Sequence, residues 1–151
     1  MSVLLISLAF IIAKYVFFNE DKAASYAVRR NNLELTDSER KALELHFPFY
    51  NGLSPDNQLE FRKRLAYFLS SKRFIAHDGL DLFGAMKALI CAELIRMTFG
   101  LKKFVLPHFK LIRVYPQEYY SRLTQGYHKG EVDLRGSIVL AWTSFQEGIL
   151  D

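Results

Sequence analysis

The stretch Gly136–Asp151, GSIVLAWTSFQEGILD, begins with a run of β-branched and apolar residues that leads to the single tryptophan of the chain, Trp142. Residues of this kind favour extended backbone, and we predict a strand over Ser137–Trp142. The run FKLIRV at Phe109–Val114 has the same character and predicts a second strand, which Pro116 stops.

Glycines divide the segment between these two predicted strands. Gly126, Gly130 and Gly136 lie in GYHKGEVDLRG, a spacing that predicts a hairpin or a bulged connection. Upstream of this segment the hydrophobic residues recur with a helical period. Helices before strands indicate an α+β fold, in which helices are followed by a small mixed or antiparallel sheet.

Capping signals locate the predicted helices. The sequence TDSE at Thr36–Glu39 fits a capping box and starts a short helix that ends before Pro48. A second helix begins at Ser54-Pro55-Asp56 and ends near Lys72, since serine and proline are favoured at the first positions of a helix. A longer and more apolar helix is predicted over Leu82–Phe99.

Two features near the third helix bear on the core. The sequence His77-Asp78-Gly79 predicts a turn before the helix. Within the helix, Glu93 lies among apolar residues. It is either a buried, partnered carboxylate or a solvated position on the helix face, and we favour the solvated position because glutamate is rarely buried.

The amino terminus is almost entirely apolar from Val3 to Phe18, with Lys14 as its one charge. A helix over residues 1–18 is about 27 Å long, close to the roughly 30 Å of a membrane's hydrocarbon core. We therefore predict a transmembrane anchor over residues 1–18, a polar tether over residues 19–35 and a folded part over residues 36–151.

The flanking charges set the predicted topology of this anchor. Lys14 lies near the end of the apolar run and every other nearby basic residue follows it. The positive-inside rule therefore predicts a single-pass protein of the inner (cytoplasmic) membrane whose soluble part is cytoplasmic. A cleaved signal peptide is less favoured, because no basic residue precedes the apolar run. A buried helix of a soluble domain is also disfavoured by the scarcity of polar residues.

Composition and motifs restrict the chemistry. The chain has 20 Lys and Arg against 16 Asp and Glu; the two signs are interleaved, which argues against a nucleic-acid partner. Its single cysteine excludes an intrachain disulfide. The four histidines are too scattered for a zinc motif, and nothing in the sequence places Glu118 and Glu131 together. We predict no catalytic residue and no metal ligand in the chain.

A series of different short motifs occurs in a fixed order over Leu53–Gly148. They are Phe68-Leu69, Lys72 with Phe74, Gly79-Leu80, Ile90–Glu93, Val114-Tyr115-Pro116, Gly136–Trp142 and Gly148. The order resembles the Mlc titration factor A (MtfA) family of zinc-dependent peptidases, whose pattern is FL, KxF, GL, a helix of the IAAQA type, VYP, and GxVxLSW followed by a glycine. The sequence departs from that pattern at Glu93, where the family has glutamine, and at Ala141, where it has serine.

The resemblance implies a function for the longer protein. In the family a helix bearing H-E-x-x-H closely follows the segment that corresponds to GSIVLAWTSFQEG, and its histidines bind zinc while its glutamate is the general base. None of these residues is present here. The resemblance implies the amino-terminal fragment of a membrane-anchored zinc (amino)peptidase, with zinc as cofactor only in a full-length member. An Mlc-like transcriptional repressor is a possible partner by the same analogy.

The analogy also assigns a peptide-binding role to the last strand. In peptidases of this type the strand before the metal helix lies at the edge of the cleft and pairs with an extended substrate. The predicted substrate-binding edge strand comprises Ser137, Ile138, Val139, Leu140, Ala141 and Trp142, with Trp142 at the cleft wall. An ordinary core strand is the alternative.

Two further functions stay open on the sequence alone. One is a non-catalytic, membrane-tethered protein-binding module of the same family. The other is a small basic protein that binds a membrane surface or nucleic acid.

Overall fold

The computed structural model describes residues 34–101 and 104–150. The described residues form two compact units, one helical (residues 34–71, 83–101 and 104–107) and one built on a sheet (residues 72–82 and 108–150). The helical unit contains α1 (Asp37–His46), α2 (Pro48–Asn51), α3 (Pro55–Ser71) and α4 (Gly84–Thr98). The sheet unit contains β1 (Arg73–Ala76), β2 (Leu111–Tyr115), β3 (Tyr119–Ser121), β4 (Gly126–His128), β5 (Gly130–Asp133), β6 (Ser137–Ala141) and α5 (Trp142–Leu150).

The predicted capping box at the start of α1 is confirmed. The N–H of Thr36 donates to the carboxylate of Glu39 at 2.8 Å, and the Thr36 hydroxyl accepts the N–H of Glu39 at 3.4 Å. These bonds satisfy two amides that the first turn of a helix would otherwise leave unpaired. Helix α1 ends before Pro48, as predicted. Pro48 is itself the first residue of the short helix α2, a position that proline favours.

A buried arginine crosses the core of the helical unit, in which α4 packs against α1 and α3. The Arg64 guanidinium lies 3.7 Å from the centre of the Phe104 ring. It also donates to the Glu60 carboxylate at 2.9 Å and to the Phe99 carbonyl at 3.1 Å. A charge in an apolar core is tolerated only when its donors are satisfied, and these partners meet that condition.

Glu93 is buried, with 3% of its surface exposed, so the expectation of a solvated position is wrong. Residues on nearly the whole circumference of α4 are buried, which leaves no solvated side for the carboxylate. It pairs instead with Arg96, one turn later. Burial raises the pKa of Glu93, and the charge and hydrogen bond of Arg96 offset that effect only in part.

The main sheet has four strands in the order β1-β2-β6-β5. Strands β1, β2 and β6 are parallel, and β5 is antiparallel to β6. An α+β fold with a small mixed sheet is therefore confirmed. The strict order of helices before strands is wrong, because β1 precedes α4; the sequence indicated only the turn at His77–Gly79 in this region.

The boundaries of two strands also differ from the prediction. Strand β2 begins at Leu111 and extends to Tyr115, one residue beyond the predicted end. Strand β6 ends at Ala141, so Trp142 is the first residue of α5 and not the last residue of a strand. The Trp142 ring stacks on Phe145 with centroids 5.6 Å apart, an i, i+3 contact that helical backbone permits.

The two faces of the main sheet differ in chemistry. Side chains alternate between the faces along each strand. One face carries apolar residues that are buried: Ile112, Val114, Ile138 and Leu140. The other face carries the apolar residues Leu111, Val139 and Ala141 together with charged and polar residues that are partly exposed: Arg113, Tyr115, Ser137, Glu131 and Asp133. The register of the strands thus gathers the polar side chains on one face.

The predicted hairpin between the strands is present as the pair β5 and β6. Its loop of three residues ends at Gly136, whose φ is +91° and whose N–H donates to the Asp133 carbonyl at 2.9 Å. A left-handed residue at the third loop position is typical of such hairpins. The neighbouring strands β3 and β4 form a separate antiparallel pair.

The predicted anchor at residues 1–18 lies outside the described residues, as does the predicted tether except for Glu34 and Leu35. Among the helices of residues 34–101 and 104–150, none combines the length and the hydrophobicity that a membrane span requires.

We expect Gly136→Ala to destabilise the fold by at least about 2 kcal/mol more than Gly79→Ala, as measured by urea unfolding. Both glycines have positive φ. A Cβ at Gly136 would also overlap the backbone carbonyl of His108, whereas a Cβ at Gly79 would meet no atom within 4 Å. Equal losses of unfolding free energy in Gly136→Ala and Gly79→Ala would show that the contact between Gly136 and the His108 carbonyl does not limit the side chain at position 136. Gly100→Ala supplies the baseline, since Gly100 has neither constraint.

We expect Glu93→Gln to raise the free energy of unfolding at neutral pH. The raised pKa of Glu93 means that ionisation disfavours the folded state, so this group's contribution declines as pH rises above the ordinary value of 4.5. The stability gain of Glu93→Gln should be small at about pH 4 and larger at about pH 7.5. Glu44→Gln, at an exposed position of α1, is the control. A gain independent of pH would refute the explanation.

Candidate functional site

Strand β6 is not an edge strand, so that part of the sequence prediction is wrong. Its backbone pairs with β2 on one side and with β5 on the other. Ile138, Val139, Leu140 and Ala141 are buried, and Ser137 is partly exposed at the start of the strand. The reason is the hairpin. The chain folds back through Gly130–Asp133, and β5 pairs with the side of β6 that was expected to be an unpaired edge.

The edge on this side of the sheet is β5. Among the described residues, no strand pairs with β5 on the side away from β6. The N–H of Ala141 donates to the carbonyl of Lys129 at 2.8 Å, which extends the ladder one residue beyond Gly130. Because hydrogen-bonded pairs alternate along an antiparallel ladder, the N–H and C=O groups of Gly130 and Val132 point away from β6. They can accept an added strand.

Three buried polar groups of the sheet unit have no hydrogen-bond partner among the described residues, and one of them, Glu131, lies on this edge strand. Glu131 faces the same side of the sheet as Val139 and Arg113. One of its carboxylate oxygens is buried and has no hydrogen-bond partner among the described residues, and the same is true of the Tyr119 hydroxyl and of Nε2 of His77. Buried polar atoms are nearly always satisfied in folded proteins, so these atoms are positioned to bind water or a polar ligand.

A stack of three rings joins two of these groups. The His77 ring lies parallel to the Tyr115 ring at 4.3 Å, and Tyr115 lies against Tyr119 at 4.6 Å. Burial, followed by the negative charge of Glu131 and by Tyr115, raises the pKa of Tyr119. The Tyr119 hydroxyl therefore stays protonated at any physiological pH and remains a hydrogen-bond donor.

A surface cavity of about 470 Å³ opens where β2 and β6 end. Its walls are the connection after β2, the residues before β5 and the first two turns of α5. The N–H of Thr143 donates to the carbonyl of Pro116 at 3.2 Å and holds two of these walls together. The lining includes Gln117, Glu118, Tyr127, Lys129, Thr143 and Glu147. Glu118 and Lys129 form an ion pair at 3.7 Å across it.

The described residues do not form a metal site. No group of three or more His, Cys, Asp or Glu side chains is close enough to hold an ion within residues 34–101 and 104–150. Three of the four histidines serve other contacts: His108 Nε2 lies 2.8 Å from the Leu134 carbonyl, His128 contacts the Thr124 hydroxyl, and His77 stacks on Tyr115. This arrangement does not fit a zinc centre.

The sequence predicts a hairpin or a bulged connection before β6, but it does not define β5 as a separate strand, and it does not predict the cavity. Gly130–Asp133 falls within the predicted connection, because a strand of four residues with glycine at its start carries little propensity of its own. The cavity brings together residues from three segments, and no local pattern links Glu118, Lys129 and Glu147. The glycine spacing around Gly130 and Gly136 was the one available signal.

Comparison with models of protein families matches the one described as glucose-regulated metallo-peptidase M90, over residues 20–151. No curated protein and no solved structure matches the chain. The matched range contains every motif from Phe68 to Gly148 on which the resemblance to the MtfA peptidases depends. The predicted family is confirmed, and the chain belongs to the M90 family of glucose-regulated metallopeptidases.

Proposed function

We propose that this chain supplies the peptide-binding part of a zinc-dependent peptidase, of the aminopeptidase type, in the M90 family. The observation that carries the proposal is the family match over residues 20–151. The exposed edge of β5 supports it, because an extended peptide can add to such an edge through main-chain hydrogen bonds. The proposed peptide-binding strand is thus Gly130–Asp133, in place of Ser137–Trp142.

Two outward-facing residues define how the peptide binds. Gly130 and Val132 each offer one N–H donor and one C=O acceptor, spaced two residues or about 7 Å apart. An antiparallel peptide strand would satisfy all four groups. Gly130 has no side chain to obstruct the approach of the peptide backbone.

Zinc is implied for full-length members of the family. It would polarise the scissile carbonyl and activate a water molecule. The motif H-E-x-x-H does not occur in residues 1–151, and the histidines of the described residues do not converge on one point. We infer that hydrolysis belongs to a longer reading frame, in which this chain binds and orients the peptide.

We also propose a cellular location and a protein partner for the chain. The apolar run Val3–Phe18, followed by basic residues, supports an anchor in the inner membrane with the remainder of the chain in the cytoplasm. A transcriptional repressor similar to Mlc is proposed as a protein partner by analogy with the family. A non-catalytic, membrane-tethered protein-binding module is the alternative function, since the addition of a peptide to the edge of β5 would require no metal.

The reading frame beyond codon 151 tests the proposed function. We expect it to encode H-E-x-x-H within about thirty codons, and the extended protein to bind one zinc ion and to hydrolyse peptides. An immediate stop codon would eliminate the peptidase and leave the binding module. Zinc bound stoichiometrically by residues 1–151 alone would show that ligands of the metal lie within them.

We expect Val132→Pro to weaken peptide binding at least about tenfold while the fold is retained. Proline removes the N–H that points away from β6 and does not disturb a hydrogen bond within the sheet. Fluorescence anisotropy with a labelled peptide measures the affinity, and circular dichroism monitors the fold. Val132→Ala shortens the same side chain but keeps the N–H, so it should bind peptide normally. Equal affinities of the two variants would exclude β5 as the binding edge.

A further inference from the structure

We propose that the cavity beside Gly130 is a subsite for a basic side chain, preferably arginine, of the bound peptide. The inference rests on the proposed function for the presence of a peptide at β5. The cavity is lined by groups from the sheet unit, and its volume of about 470 Å³ lies within the usual range for small-ligand sites.

The position of the cavity connects it with the edge strand. Lys129 lines the cavity and directly precedes Gly130, the first residue of β5. Its carbonyl is paired to Ala141, so the extended backbone continues from β5 to the rim of the cavity. A peptide paired along β5 advances about 3.4 Å with each residue. The peptide residue opposite Gly130, or the next one outward, therefore reaches the cavity.

The charges in the cavity favour a cation. The lining contains two carboxylates, those of Glu118 and Glu147, and one ammonium group, that of Lys129. Lys129 and Glu118 are 3.7 Å apart with about half of each side chain exposed, at 53% and 49%. Such an exposed and distant pair contributes little free energy, so an incoming cation can displace it. Glu147 has no ion-pair partner within the part of the chain that the structure describes.

An aromatic ring adds a second attraction for a cation. Tyr127 lines the cavity and 73% of its surface is exposed. Its ring is held edge-on against Tyr120, with centroids 5.5 Å apart. A guanidinium group binds carboxylate through two parallel hydrogen bonds and also stacks on an aromatic face, which an ammonium group does less well. The lining therefore favours arginine over lysine.

Peptides that differ only in charge test the subsite. The probes are acetylated, fluorescein-labelled decapeptides with one arginine or, at the same position, the neutral isostere citrulline, scanned through all positions. Acetylation removes the charged amino terminus, so a preference for that group cannot mimic the result. With the full chain we expect the arginine peptide to bind about tenfold more tightly than its citrulline partner at one position of the scan.

Substitutions of residues that line the cavity test whether the difference in affinity between the arginine and citrulline peptides arises there. Glu147→Gln should reduce the arginine preference to less than about threefold, and Lys129→Gln should increase it, since the competing cation is lost. Glu44→Gln, on the exposed side of α1, should leave it unchanged. A free-amine peptide without arginine that binds as tightly as the arginine peptide would overturn the assignment to a side chain.

The arginine subsite and the peptide-binding edge of β5 are tested separately by these measurements. Equal affinity for arginine and citrulline at every position, with binding still lost in Val132→Pro, would overturn the subsite and leave the peptide edge standing. The absence of binding by every peptide would overturn both.

Discussion

The sheet unit depends on the close approach of Gly136 to the backbone of His108. No other residue fits, because the backbone has φ of +91° and a side chain would overlap the His108 carbonyl. The same glycine donates its N–H to Asp133, and its carbonyl accepts the N–H of Leu111 at 3.4 Å. One residue thus ties the end of β5 and the beginning of β6 to the beginning of β2.

The hairpin of β5 and β6 has consequences for function. It puts β6 between β2 and β5, so the backbone of β6 is paired on both sides, and β5 is the edge strand on this side of the sheet. It also aligns Glu131 with Val139 and Arg113, which gathers polar side chains on one face. The loop is fixed further by Asp133, whose pKa is lowered chiefly by the N–H of Arg135. A rigid hairpin is a suitable support for a peptide-binding edge, because a preformed edge loses little entropy on binding.

The helical unit shows how the chain accommodates charge away from water. Arg64 is satisfied by a carboxylate, a carbonyl and an aromatic face. Within residues 34–101 and 104–150, Glu93 has the single partner Arg96, and burial raises its pKa because this partner offsets burial only in part. A neutral amide such as glutamine at this position would avoid the cost of burying a charge.

The sequence by itself determined the local features and the family. The capping box at Thr36, the extent of α3 and the glycine-rich hairpin are encoded in residues close together in the chain, where propensity and hydrogen-bonding chemistry act directly. The ordered motifs between Phe68 and Gly148 identified the peptidase family. Only the tertiary structure decided that β1 exists, that β6 is covered by β5 and that three segments form one cavity. Parallel strands such as β1 and β2 pair across more than thirty residues of sequence, and such pairing depends on the packing of the whole chain, which no local pattern encodes.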